Sequence, residues 1–256
     1  QLQSANMRPQ SILKEIGVEI LCTTDDPIDN LEDHRYLAEH LPTPKIFPTW
    51  RPDKVMDLTH PDYFNYLDKF ADRYQTRITI FADLLEILRK SHDFFHQNHC
   101  HASDHGIMIP FGHEVSEQHA AKIFCLRLNH HPISQQDVRD FHAFLLHFFA
   151  DLDAETGWVM QLHLGAVRNY REKLYRTIGP DSGGDISSCF IEIPSNLHDF
   201  LTHTDDRLKL ALYCLDPGHL PTIATISRAF GEKVALGSAW WFNDSPIGMK
   251  RQLEYI

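Results

Sequence analysis

Three residues of this 256-residue chain, Arg51, Asp104 and His163, have side chains and neighbours suited to chemistry on a small polar molecule. Arg51 stands in Phe47-Pro48-Thr49-Trp50-Arg51-Pro52-Asp53-Lys54, just past an apolar run, with Trp50 and Pro52 restricting its backbone. A guanidinium presents several donors in one plane, which suits a carboxylate or the oxygens of a sugar. The plainer reading is an ion pair to Asp53 or Asp25 that ties neighbouring loops together. His163 follows the apolar run Trp158–Leu162 and precedes Leu164-Gly165-Ala166. A histidine at a strand end can hydrogen-bond a substrate oxygen, transfer a proton or ligate a metal. Its plainer reading is a core histidine bonded to a backbone carbonyl. Asp104, beside His105, lies in Cys100-His101-Ala102-Ser103-Asp104-His105-Gly106 and reads as an active-site carboxylate.

Other polar groups carry less. His92, His96 and His99 precede Asp104 and invite comparison with a zinc site, which needs convergent His, Cys or carboxylate groups. They fall on a helical stretch or its end, where nothing fixes their rings, so no metal site is assigned to them. Asp25 and Asp26 form a carboxylate pair in sequence. Asp26 before Pro27 fits a helix start, because Asp caps well and Pro favours the first turn. Asp25 stays open. Trp240 and Trp241 are expected to split across a strand, with core packing set against stacking on a sugar face.

These side chains need a frame, and the hydropathy pattern supplies one. Short apolar runs at Val18–Cys22, Ile46–Trp50, His99–Ser103, Trp158–Leu162, Leu210–Leu215 and Val234–Trp241 each break off into polar residues. Amphipathic stretches fill the gaps, and strands alternating with helices imply a parallel sheet with its site at the strand ends. Helices are expected at about 7–15, 29–41, 116–128, 134–155, 195–203 and 222–230. Ser116 caps one, Ser134 with Asp137 caps the next, and Gly157 ends it. Residues 61–98 are too long for a simple crossover and read as a helical insertion, while the Gly- and Ser-rich segment 179–194 reads as a loop on the functional face. A closed barrel needs eight strands; six are legible.

Composition narrows the classes. At 43% apolar residues the chain can bury a substantial core, and its formal net charge of -11 disfavours nucleic acid. No apolar run reaches the roughly 18 residues that span a membrane. Cys22, Cys100, Cys125, Cys189 and Cys214 are dispersed without CxxC spacing, which points to a reducing, cytoplasmic setting.

In this order the motifs resemble the bacterial uronate isomerase (glucuronate isomerase) family. They are Thr23-Thr24-Asp25-Asp26-Pro27, Trp50-Arg51-Pro52-Asp53-Lys54, Ser103-Asp104-His105-Gly106, His163-Leu164-Gly165-Ala166-Val167-Arg168-Asn169, Gly179-Pro180-Asp181-Ser182 and Trp240-Trp241-Phe242-Asn243-Asp244. The resemblance implies an α/β fold, a (β/α)8 TIM-type barrel of the metal-dependent hydrolase (amidohydrolase) superfamily with a helical insertion, of which strands two to seven stand here. It implies aldose–ketose isomerisation of D-glucuronate to D-fructuronate and of D-galacturonate to D-tagaturonate. It also implies catalytic roles for Asp104 and His163, and substrate contacts for Arg51 and Trp240. The implied cofactor is a divalent metal, zinc, held by a His-x-His pair on the first strand and an aspartate on the eighth; the resemblance finds neither strand's motif here, and His99-Cys100-His101, which has the first spacing, belongs to the Ser-Asp-His strand. The implied partner is a uronate sugar, with homo-oligomers a possibility and neither nucleic acid nor membrane involved.

Two further readings stand beside this one. The superfamily mostly hydrolyses amides and esters, so a metal-dependent hydrolase is an alternative, against which the Trp-Arg-Pro-Asp-Lys motif weighs. The chain also reads as an internal fragment of the enzyme, expected to be inactive alone because a sheet lacking its end strands cannot close.

Overall fold

The computed structural model describes residues 4, 7–41, 43–188, 190–239 and 244–256. Its strands are β1 (Ile20–Cys22), β2 (Lys45–Phe47), β3 (Ala102–Ile107), β4 (Val159–Leu164), β5 (Ala166–Val167), β6 (Ile186–Ser187), β7 (Lys209–Cys214) and β8 (Val234–Leu236). The helices are α1 (Pro9–Glu15), α2 (Glu32–His40), α3 (Asp53–Met56), α4 (Tyr63–Tyr74), α5 (Phe81–Gln97), α6 (Glu117–Leu128), α7 (Gln135–Thr156), α8 (Glu172–Ile178), α9 (Ile193–Thr204), α10 (Leu220–Phe230) and α11 (Pro246–Leu253).

Strand and helix alternate, and the main strands pair in parallel. β1 pairs with β2, and β3, β4, β7 and β8 form a second sheet in that order. Parallel bridges from Trp50 to Asp25 on one side and Ser103 on the other join the two sheets. The fold is therefore mixed α/β with a parallel sheet. β5 and β6 form a small antiparallel ladder outside it.

The core lies between the sheet and the longest helices. Phe141, Leu145, Phe149 and Leu152 recur at helical spacing on α7, and all are buried. They belong to one continuous cluster with Leu84, Leu88 and Phe95 of α5 and Met160 and Leu162 of β4. Trp50 is fully buried there, its indole N–H donating to Ser91 Oγ at 2.9 Å. Residues 61–98 supply α4 and α5, whose apolar faces join this same cluster.

Local chemistry set the helix ends as expected. Ser116 Oγ accepts from the His119 N–H at 3.3 Å. Ser134 Oγ accepts from the Asp137 N–H at 3.0 Å, and Asp137 accepts in return from the Ser134 N–H at 2.7 Å. Gly157 ends α7 with φ +72°, a conformation glycine adopts without cost.

Several expected boundaries moved. The third strand, expected at 99–103, lies at Ala102–Ile107: α5 runs on to Gln97, and His99 turns the chain with φ +64° before it extends. Ser103, Asp104 and His105 thus sit inside a strand, tolerated because each finds a polar partner. β4 likewise runs on to Leu164, so His163 lies within it. Asp26 does not cap a helix. Its Oδ1 accepts from the Ile28 N–H and the Tyr66 hydroxyl, both at 3.0 Å, while α2 begins only at Glu32. The expected loop 179–194 contains β6 and the start of α9. Among the described residues no helix is long and apolar enough to cross a membrane.

Candidate active site

Alternation along β4 separates two faces. Met160, Leu162 and Leu164 are buried, while Gln161 and His163 face the other way and remain partly exposed. The register sets Asp104 beside Gln161, and Gly106 beside His163. Asp104 therefore reaches His163 along the diagonal, with Oδ1 2.6 Å from Nδ1. On the other side Tyr213 stands directly opposite His163, and neighbouring parallel strands bring the two rings to 4.4 Å, only 4° from coplanar orientation. The Tyr213 hydroxyl donates to Gln161 Oε1 at 3.0 Å. Gly237 makes room for this stack, since a Cβ there would lie 2.1 Å from the Tyr213 ring.

Arg51 closes the group from the β2 side. Its backbone N–H donates to the Asp25 carbonyl at 2.9 Å, which continues the parallel pairing past β2. Its Nε donates to Asp53 Oδ2 at 3.0 Å, and its Nη1 lies 3.5 Å from Asp104 Oδ2. The guanidinium rests over Gly106, where a Cβ would approach Nη2 to 2.3 Å. The expected ion pair to Asp53 exists, then, in a position that also faces Asp104. Asp25, the other expected partner, instead accepts from the Thr23 hydroxyl at 2.7 Å and the Thr49 N–H at 3.2 Å, tying the ends of β1 and β2 together.

The electrostatics follow from these contacts. Burial opposes charge on Asp104, but the His163 hydrogen bond and the charge of Arg51 outweigh it and hold the carboxyl below its usual range. Asp53 is also partly desolvated, yet His105, Arg51 and the Gly106 N–H bring it down to about 2. Desolvation works against the Arg51 cation, and the charges of Asp53 and Asp104 reverse that, raising its pKa. Burial, then the nearby Asp104, push the Tyr213 phenol up.

The group lines a cleft of about 350 Å³, walled by Cys22, Thr23, Thr24, Thr49, Arg51, Asp104, Gln161, His163 and Arg168. Arg168 follows β5, and its Nη1 is held 2.7 Å from Asp185 Oδ2 and 3.3 Å from Asp181. Asp185 also accepts from the Asn169 N–H at 2.7 Å, so the β5–β6 ladder fixes this second arginine on the cleft wall. Two guanidinium groups beside hydroxyls, an amide and an Asp–His pair suit a hydroxylated anion, with a proton relay to hand. A larger hollow of about 1100 Å³ lies past Asp53 and Gly106, but its mostly apolar wall includes none of Arg51, Asp104 and His163.

Arg51, Asp104 and His163 therefore meet at one cleft. Trp240, with Trp241, Phe242 and Asn243, lies outside the described residues, as does Cys189. Sequence reasoning passed over Arg168, Gln161 and Tyr213. Arg168 stood within a quoted motif, but only the β5–β6 ladder shows its direction. Gln161 and Tyr213 needed the strand register. His92 and His96 turn to packing: His92 Nε2 meets Asp153 at 3.1 Å, and His96 accepts from the Trp158 indole at 3.0 Å. Among the described residues no group of three or more His, Cys, Asp or Glu could hold a metal ion. The donors at the cleft do not fit a divalent cation either, since Asp104 faces a guanidinium and the Thr24 hydroxyl with one oxygen and His163 with the other.

Comparison with known proteins agrees with this frame. A family model described as glucuronate isomerase matches residues 1–256. The chain is 47% identical over 250 residues to a uronate isomerase of Thermotoga neapolitana, covering 98% of this chain and 55% of that protein. The crystal structure of uronate isomerase from Thermotoga maritima superposes with a TM-score of 0.92 at 44% identity, over 96% of this chain and 55% of that one. Glucuronate isomerase from Caulobacter crescentus superposes with a TM-score of 0.90 at 27% identity, over 100% and 53% respectively. The chain spans about half the length of the curated relatives it matches.

Proposed function

The chain belongs to the glucuronate isomerase family, and from that premise we propose that it forms the substrate-facing wall of a uronate isomerase. The reaction is interconversion of D-glucuronate with D-fructuronate and of D-galacturonate with D-tagaturonate. The observation that carries this reading is the meeting of Arg51, Asp104 and His163 at one polar cleft. Six parallel strands in sequence order, with chemistry on one face, support an arc of a (β/α)8 barrel of the amidohydrolase superfamily. The dispersed cysteines support a cytoplasmic setting.

Aldose–ketose isomerisation shifts a proton between adjacent carbons through an enediol. The sugar must be opened and held, and a base must stand within about 3 Å of the proton. Arg51 and Arg168 hold the carboxylate and neighbouring oxygens, which an acidic chain would otherwise repel. His163 hydrogen-bonds the carbonyl or an adjacent hydroxyl. Asp104 fixes that imidazole and assists proton transfer or ring opening. Tyr213 keeps the ring in plane. A divalent metal, zinc, belongs to this reading through the family; the described residues offer it no site, and no step here passes through it.

The test is uronate isomerisation by the protein expressed at the length of its relatives. Replacing Arg51 with Lys keeps the charge but loses the planar fork, and kcat/KM should fall roughly 10- to 100-fold. An unchanged kcat/KM removes Arg51 from the substrate site.

A further inference from the structure

β3 carries polar groups on its other face. Ser103 and His105 are fully buried and point away from Asp104 into the layer between sheet and helices. His105 Nδ1 lies 3.2 Å from Asp53 Oδ1, and its Nε2 lies 3.1 Å from Ser103 Oγ. Ser103 in turn donates to Asp153 Oδ2, whose other oxygen meets His92 Nε2 at 3.1 Å. The imidazole stacks on Phe149 with centroids 5.5 Å apart and planes 9° apart, so its rotation is fixed.

Proton counting orients the chain of bonds. A hydroxyl has one proton, and Ser103 uses it on Asp153. His105 Nδ1 is the donor to Asp53, because an ionised carboxylate only accepts. The second oxygen of Asp53 takes the Gly106 N–H at 2.7 Å and Arg51 Nε at 3.0 Å. Asp53 thus stands between a ring locked in the core and a guanidinium at the cleft.

We propose that His105 is a positioning residue for Arg51: from behind the sheet it fixes the carboxylate that aims the guanidinium into the cleft. His105 does not line the cleft and touches no substrate there. The proposal rests on the reading of Arg51 as a substrate ligand. A histidine that only filled space could be replaced by another flat ring; one that positions Asp53 could not.

Three substitutions separate these cases. His105→Phe keeps a ring against Phe149 and removes both ring nitrogens. His105→Asn puts an amide near the place of Nδ1, within reach of Asp53 alone, whereas His105→Gln reaches toward Ser103 alone. In 1H–15N spectra of the 256-residue chain, the Arg51 Nε–H signal should exchange slowly with solvent. Exchange should speed up at least about tenfold in His105→Phe and His105→Gln and stay slow in His105→Asn. At the length of the relatives, His105→Phe should raise KM for D-glucuronate about tenfold with a smaller change in kcat, and His105→Asn should restore most of it. Unchanged Arg51 exchange in folded His105→Phe overturns the proposal. If that variant does not fold, equal exchange in His105→Gln and His105→Asn overturns it. Faster exchange with unaltered KM upholds the positioning of Arg51 and overturns its role toward substrate.

Discussion

Two Asp–His pairs stand on opposite sides of one sheet, and they differ in what surrounds them rather than in what they are. Asp104 and His163 lie 2.6 Å apart on the cleft face. Asp153 and His92 lie 3.1 Å apart between the sheet and its helices. Asp153 is fully buried, Ser103 occupies its second oxygen, and His92 stacks on Trp158 at 3.9 Å. That pair has no route to a ligand. Asp104 and His163 open onto a polar cleft with two arginines on its wall. The comparison teaches that an Asp–His pair marks a site only where space and further polar groups adjoin it; elsewhere it is a way of burying a charge.

Breaking each pair should show the difference. The largest effect belongs to the cleft. Asp104→Asn at the length of the relatives should lower kcat roughly 10²- to 10⁴-fold, the range of a lost proton-transfer group, a loss out of proportion to the fall in the thermal midpoint. Retained turnover would place Asp104 with Asp153 as a structural carboxylate. Asp153→Ala should reverse the pattern, costing about 3–5 kcal/mol in urea unfolding because His92 and Ser103 lose their buried partner. A cost under about 1 kcal/mol would show that this layer tolerates the vacancy.

The smallest effect sharpens the link between the two faces. Asp53 is held down to about 2 in the fold against an ordinary 3.8, so its stabilisation is complete above about pH 4 and lost as pH falls toward 2. Its side chain is about one-quarter exposed, which limits the contribution to on the order of 1–2 kcal/mol. Asp53→Asn should flatten that portion of the acid-unfolding curve; an unaltered curve would detach Asp53 from the His105 and Arg51 contacts that hold it ionised.

What was legible in the sequence was local or periodic. Ser116, Ser134 with Asp137, and Gly157 act on backbone within a few residues, so their capping roles could be read directly. Six apolar runs announced the parallel strands, and Arg51, Asp104 and His163 beside three of those runs announced the cleft. Where the reading failed, the deciding partner lay far along the chain. Ser103, Asp104 and His105 remain in β3 only because Asp153, His163 and Asp53 meet them there. Asp26 serves a tyrosine 40 residues away instead of a helix start. Tyr213 and Gln161 depend on register, and Arg168 on a two-residue ladder that apolar periodicity cannot signal.

Gly106 has a consequence for how such a cleft could be retuned. Because the guanidinium of Arg51 rests where a side chain at 106 would be, a single methyl would swing that cation aside without altering any charge. Gly237 restrains the Tyr213–His163 stack in the same way. Anyone selecting for altered ligand preference therefore has two volume dials, one for each end of the cleft, and libraries at 106 and 237 would shift the arginine and the ring stack while the charge of every group is kept.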